Sequence, residues 1–150
     1  MKAVVQRVRN ASIAVDGIVM GAIEAGLLVY LGVGKDDTEA DAAWLADKIC
    51  GLRIFEDEQE KMNLSLLDTH GSILTISQFT LLADTRKGKR PSYNDAAPPE
   101  YAEKLYEHFK HIVSTIIPNS VSGVFGASME VAYVNMGPVT ILLDTKKNIT

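Results

Sequence analysis

The sequence predicts an α+β domain in three layers, two packed β-sheets with two helices on one face. Three observations carry this expectation. Two stretches, 38–52 and 99–116, repeat apolar residues at helical spacing. Short alternating or wholly apolar runs rich in Val, Ile and Leu precede, separate and follow them, the pattern of strands. Asp16-Gly17 stands between two such runs as a two-residue hairpin signal. With 150 residues, 47% hydrophobic and 23% charged, the chain suits a single domain with a sizeable core. That domain is assigned to residues 1–145, with a loose polar tail over 146–150.

Residues 2–15 alternate loosely, and 12–15 with 18–23 form the hairpin across Asp16-Gly17. The run 27–31 is apolar throughout and bounded by glycines, which suits a central strand covered on both faces. Gly32-Val33-Gly34-Lys35 lacks the spacing of a phosphate loop and reads as a turn. Thr38 caps the first helix, with Asp41 completing a capping box, and Ala42, Leu45, Ile49 and Leu52 form its buried stripe. Trp44 and Cys50 flank that stripe as packing residues. A short strand over 52–55 and a charged turn over 56–61 follow, and 62–65 leads to a strand over 72–77. Pro99 starts the second helix, whose stripe is Ala102, Leu105, Phe109, Ile112 and Ile116. The last third is β again, with strands over 121–125, 129–134 and 139–143, and Asn135-Met136-Gly137-Pro138 as a tight connection between the last two. Gly before Pro makes a cis bond accessible there.

The net charge of −4 excludes a general nucleic-acid binder, so any such contact needs a local patch. A single cysteine excludes an internal disulfide framework and a cysteine-cluster metal site. His108 and His111 lie three residues apart without a third ligand nearby, so no metal and no cofactor is expected. No apolar run reaches the roughly 18 residues of a membrane span, and the N-terminus breaks into charge too early for a signal peptide. A cytoplasmic location, without membrane or DNA as partner, is the expectation.

Residues 71–93 hold most of the polar chemistry. The strand over 72–77 ends in Ser77-Gln78-Phe79-Thr80, which offers an amide, two hydroxyls and an aromatic face. Beyond it, Arg86, Lys87, Lys89 and Arg90 place four cations in five positions, a surface suited to phosphates. A hydrolase needs oxyanion stabilisation and a route for a proton. The chain has no Gly-x-Ser-x-Gly elbow, and His70, His108 and His111 all lie outside this stretch. Thr80 is a candidate nucleophile without an evident base.

Ser77-Gln78-Phe79-Thr80-Leu81, followed at a distance by Asn135-Met136-Gly137-Pro138-Val139-Thr140, resembles the D-aminoacyl-tRNA deacylase family. The likeness extends to Gln6-Arg7-Val8, Lys61-Met62-Asn63-Leu64-Ser65, Lys87-Gly88-Lys89-Arg90-Pro91-Ser92 and Phe125-Gly126-Ala127. Ser128 and Met136 stand where many relatives carry Asp. The resemblance implies a homodimer that hydrolyses the ester between a D-amino acid and the terminal adenosine of tRNA, and that also acts on glycyl-tRNA. It implies catalytic roles for Gln78, Phe79 and Thr80, with Ser77 in the adenosine-binding wall. Gly137 and Pro138, joined by a cis bond and entering the partner subunit's pocket, would be the chirality filter, with Asn135 in the same motif and Arg7 steadying it. Arg86, Lys87, Lys89 and Arg90 would contact tRNA phosphates. An aminoacyl ester is already activated and carries a vicinal 2′-hydroxyl, so positioning and backbone N–H donors near Phe79 and Thr80 could suffice for hydrolysis. Two readings stand beside this one: an RNA-binding module without chemistry, and a Thr- or Ser-nucleophile esterase acting on small esters.

Overall fold

The long first strand organises the molecule. In the computed structural model, which describes residues 1–148, β1 spans Lys2–Val15 and turns at Asp16-Gly17 into β2 (Ile18–Ile23). Both turn residues sit at positive φ, 51° and 77°, as the hairpin signal requires. β3 (Gly26–Gly32) is buried along almost its whole length, flanked by β1 on one side and parallel β6 (Ser72–Ser77) on the other. β7 (Ser120–Ser122) pairs with β6, and β8 (Glu130–Asp144) pairs antiparallel with β1 from Lys2 to Ala14. β4 (Phe55–Glu56) and β5 (Met62–Leu64) form a separate two-stranded sheet.

The fold class is α+β, and the two β layers are halves of one sheet. β8 follows β1 on one side throughout, while on its other side the first half of β1 lies beside β3 and its second half beside β2. Side-chain alternation on β3 separates the two cores. Leu27, Val29 and Leu31 face the helices together with Ala3, Val5 and Ile73. Leu28 faces the other way, with Val8, Ile13, Ile23, Leu74 and Ile76.

α1 (Glu39–Gly51) starts at the expected capping box: Thr38 accepts from Asp41 N, and the Asp41 carboxylate accepts from the Thr38 backbone. Its buried residues include Ala42, Leu45 and Ile49, whereas Leu52 ends the helix as its C-cap. That capping role limits the strand expected over 52–55 to Phe55–Glu56. Trp44 is half-buried, with the Lys48 ammonium 5.4 Å from its ring centroid. Cys50 is buried, and burial followed by the charge of Asp47 pushes its thiol up to about 11. It is therefore a packing residue.

α2 (Leu66–Thr69) is one turn, capped reciprocally by Ser65 and Asp68. α3 (Pro99–Ile116) packs beside α1 and buries Ala102, Leu105, Tyr106, Phe109 and Val113. Each large side chain so buried contributes about 1.5–3 kcal/mol. Ile112 and Ile116, expected in that stripe, only border the core. The strand expected over 121–125 is confined to β7: Gly123 N makes the last bond to β6, to Thr75 O at 2.9 Å, and the chain then leaves the sheet.

The C-terminal segment is docked. α4 (Thr145–Asn148) buries Thr145, and the Lys146 ammonium donates to Asp36 O at 3.2 Å and to the Asp41 carboxylate. The loose tail expected over 146–150 therefore does not begin at Lys146, and residues 149–150 lie outside the described ones.

The largest departure from expectation is in β8. The segments 129–134 and 139–143 do not form a hairpin around the Gly-Pro pair. Both run in the same direction along β1, because both find their partners there. Gln6 pairs with Thr140 and Val8 with Asn135, so two steps along β1 are matched by five along β8. The three extra residues are extruded as a bulge that contains Gly137 and Pro138.

Candidate active site

A cavity of about 540 Å³ opens at the C-terminal end of β6. Its lining comes from five segments: Val33 just beyond β3, Ile76 to Phe79, the stretch holding Tyr93, Ala96 and Ala97, the first turn of α3, and the chain from Phe125 to Val131. Gln78 N donates to Leu31 O at 2.8 Å, which fixes the chain as it leaves the sheet. Phe79–Leu82 then forms a single 3₁₀ turn. Gly32 permits this turn to sit on the end of β3, since a Cβ there would lie 2.6 Å from Leu82 and 3.0 Å from Gln78 O. Because Leu81 N is the first to bond back, to Gln78 O, the N–H groups of Phe79 and Thr80 have no acceptor in the preceding turn.

The Gln78 amide donates to Thr80 Oγ1 at 2.5 Å. Phe79 is 56% exposed and meets Tyr93 edge to face, with ring centroids 5.1 Å apart. Two backbone bonds, Ala97 N to Val33 O and Lys35 N to Asp95 O, both 3.0 Å, pin the segment after Tyr93. On another side, the Phe125 ring packs against buried Tyr106, centroids 5.7 Å apart, and the Tyr106 hydroxyl donates to Thr75 O.

The cavity lining is chemically sparse. Among the described residues it carries no carboxylate, imidazole, thiol or amine; Tyr93 is its one ionisable side chain. No group of three or more His, Cys, Asp or Glu among the described residues is placed to hold a metal ion.

Of the residues singled out in the sequence, Ser77, Gln78 and Phe79 line this cavity, and Thr80 stands on the same turn, exposed. Asn135, Gly137, Pro138 and Arg7 do not line the cavity of their own chain. They form a second constellation. The Gly137-Pro138 bond is cis, and both residues are exposed. Arg7 Nε donates to Met136 O at 3.2 Å, while its Nη1 donates to Ile54 O at 2.8 Å. Gly137 has φ +120°, and a Cβ on it would come within 3.0 Å of Arg7 Nη2, so glycine suits the site on both counts. Asn135 closes the base of the bulge by accepting from Val139 N and donating to Thr140 Oγ1, both at 3.2 Å.

The basic loop is less uniform than its composition. Arg86 is clasped by Asp84 through Nε at 2.9 Å and Nη2 at 2.7 Å, and hydrogen bonds from Arg86 hold that carboxyl down to about 2. Lys87, Lys89 and Arg90 are exposed. None of the four cations lines the cavity. Sequence reasoning missed the contributions of Ala96, Ala97 and Met129 to the cavity, and it quoted Phe125 only as part of the family likeness. The usable signal was Phe125-Gly126-Ala127, an aromatic followed by small residues in irregular chain.

A family model described as D-Tyr-tRNA(Tyr) deacylase matches residues 4–144. The D-aminoacyl-tRNA deacylase of Opitutus terrae (strain DSM 11246 / JCM 15787 / PB90-1) is 60% identical over 146 residues, 97% of each chain. That of Thermosipho africanus (strain TCF52B) is 57% identical over 147 residues, 98% of this chain and 99% of the other. Among solved structures, one described as c-Myc DNA Unwinding Element Binding Protein superposes with a TM-score of 0.92 at 41% identity, covering 96% of this chain and 98% of that one. A probable eukaryotic D-amino acid tRNA deacylase, at 16% identity and TM-score 0.83 over 95% of this chain and 97% of its own, shares the fold. The chain belongs to the D-Tyr-tRNA(Tyr) deacylase family, whose curated members are enzymes that hydrolyse an aminoacyl-tRNA ester.

Proposed function

We propose that this protein hydrolyses the ester between a D-amino acid and the 3′-terminal adenosine of tRNA, releasing the free amino acid and tRNA as a proofreading step of translation in the cytoplasm. Glycine attached to a non-cognate tRNA is a substrate on the same grounds, because it has no side chain by which handedness can be judged. The observation that carries this reading is a cavity that, among the described residues, has no acid–base side chain other than Tyr93 and is bordered by two backbone N–H groups without acceptors in their own turn. Such a site positions and polarises, and it suits a substrate that brings its own reactivity.

In this mechanism the adenosine and ester lie along Ser77, Gln78 and Phe79. Water attacks the ester carbonyl, and the oxyanion is received by the N–H groups of Phe79 and Thr80. The bond to the ribose 3′-oxygen breaks. The proton lost by water reaches that oxygen through the neighbouring 2′-hydroxyl. Gln78 holds the turn through Thr80, and Thr80 forms no acyl intermediate.

Chiral selection is assigned to a homodimer, in which the Gly137-Pro138 bulge of each subunit enters the other's cavity. Its exposure, together with the tethers from Arg7 and Asn135, supports this role. Backbone carbonyls then crowd the position an L side chain would need, and a backbone clash cannot be relieved by a rotamer change. The basic loop holds tRNA phosphates.

The test is deacylation of matched D- and L-aminoacyl-tRNA by catalytic amounts of purified protein. Turnover of the D-ester with the L-ester spared is the expected result. Equal hydrolysis of both would remove the filter, and stoichiometric binding without turnover would leave only an RNA-binding module.

A further inference from the structure

Tyr93 stands at the rim of the cavity, beside a basic loop that the chemistry at the ester does not use. It follows directly on the basic loop, where Asp84 and Ser92 exchange two backbone hydrogen bonds of 2.8 and 2.9 Å. That closure leaves Lys87, Lys89 and Arg90 on a short tethered loop immediately before the ring. Tyr93 is 39% exposed although it also lines the cavity, and the edge-to-face contact with Phe79 holds its plane. An aromatic surface fixed in advance beside exposed cations is the combination that binds an unpaired nucleic-acid strand, bases stacking on the ring and phosphates meeting the charges.

We infer that Tyr93 is the stacking platform for the nucleobase immediately preceding the terminal adenosine, with the adjoining phosphates led along Lys87, Lys89 and Arg90. This subsite rests on the function proposed above, which puts the adenosine inside the cavity and so requires the strand to leave over its rim. Charge complementarity favours the strand as occupant: the chain carries −4 overall, yet this edge presents three cations that have no acidic partner among the described residues.

The test compares two substrates, the D-tyrosyl ester of adenosine and that of the dinucleotide cytidylyl-adenosine, by their ratio of kcat/KM. A stacked base contributes roughly 1–3 kcal/mol, so the wild-type ratio should favour the dinucleotide by about fivefold or more. Tyr93→Leu should bring the ratio towards one, and Tyr93→Phe should preserve it. A wild-type ratio of one, or a Tyr93→Leu ratio equal to that of the wild type, overturns the subsite. The same protein is assayed alongside on D-tyrosyl-tRNA, and failure to turn over that substrate would instead overturn the proposed function. A second measurement needs no variant. A non-hydrolysable 3′-terminal oligonucleotide with 2-aminopurine at the penultimate position should lose fluorescence on binding the wild-type protein, and undiminished fluorescence in the bound state overturns the stacking.

Discussion

Asn135 and Val139 are joined across the Gly-Pro bulge: the Asn135 side-chain oxygen accepts from Val139 N at 3.2 Å while its amide nitrogen donates to Thr140 Oγ1. A single side chain thereby closes the mouth of a loop that β1 pairing alone would leave open. Arg7 ties the same loop from the other strand, through Met136 O. The loop is thus held by side chains at its base, and its tip stays free of them.

Asn135→Ala should therefore loosen the bulge without unfolding the domain. The lost hydrogen bonds are worth about 0.5–1.5 kcal/mol each, and the site is only half-buried. The expected outcome is a small drop in thermal stability with a marked narrowing of the ratio of D- to L-aminoacyl-tRNA hydrolysis. An unchanged ratio would show that Asn135 does not shape the filter.

The basic loop should respond unevenly to neutralisation. Arg86 is already engaged by Asp84, so Arg86→Ala should alter the salt dependence of tRNA binding less than the pair Lys87→Ala and Lys89→Ala. Each lost phosphate contact lowers the salt slope by roughly 0.7–0.9. Titrations at several salt concentrations measure it, and a slope indifferent to the double change would make the loop a solvated turn.

Asp41 couples stability to pH. Burial alone would raise its pKa, but hydrogen bonds from Thr145, Thr38 and Lys146 outweigh that and lower it from 3.8 to about 2. A carboxylate depressed on folding stabilises above its unfolded pKa, and that contribution is lost as pH falls through the folded value. Thermal stability should therefore fall as the pH is lowered from about 4 to about 2. Thr38→Ala should cost about 1 kcal/mol as a lost N-cap and flatten part of that acid limb. An acid limb just as steep in the variant would remove Thr38 from the coupling.

What was legible in the sequence was local. Thr38 with Asp41, Asp16-Gly17 and the apolar run of β3 each encode their conformation within a few residues, and each was read correctly. The same capping logic at Ser65 and Asp68 was available and passed over, because one turn of helix has no room for a periodic stripe. Tyr106 and Val113 were missed because the buried face of α3 is set by where α1 and the sheet lie, so it rotates away from Ile112 and Ile116. β8 was misread for a related reason. Two apolar runs around Gly-Pro look like a hairpin until both are seen to pair with β1, at the other end of the sequence. The cavity required the chain to bring together five segments, of which only the end of β6 announced itself by its polar residues.

Thr80 poses the sharpest question about the chemistry. Its hydroxyl lies on the 3₁₀ turn beside the cavity and is exposed, as a nucleophile's would be. Yet the group it meets is the Gln78 amide, which donates to it at 2.5 Å and takes no proton from it. Among the described residues no histidine, carboxylate or amine lines the adjoining cavity to serve as base. A threonine hydroxyl without a base is a poor nucleophile at neutral pH. The vicinal 2′-hydroxyl of the substrate, by contrast, sits beside the breaking bond. Thr80→Ala should consequently keep substantial deacylation, because the backbone N–H groups of the turn remain. Replacing the 2′-hydroxyl by hydrogen should slow the wild-type enzyme by far more than Thr80→Ala does. Single-turnover rates on D-aminoacyl-tRNA ending in adenosine or 2′-deoxyadenosine separate the two contributions. An acyl group found on Thr80 by mass spectrometry after rapid quenching, together with an inactive Thr80→Ala enzyme, would replace assistance by the RNA with covalent catalysis by the protein.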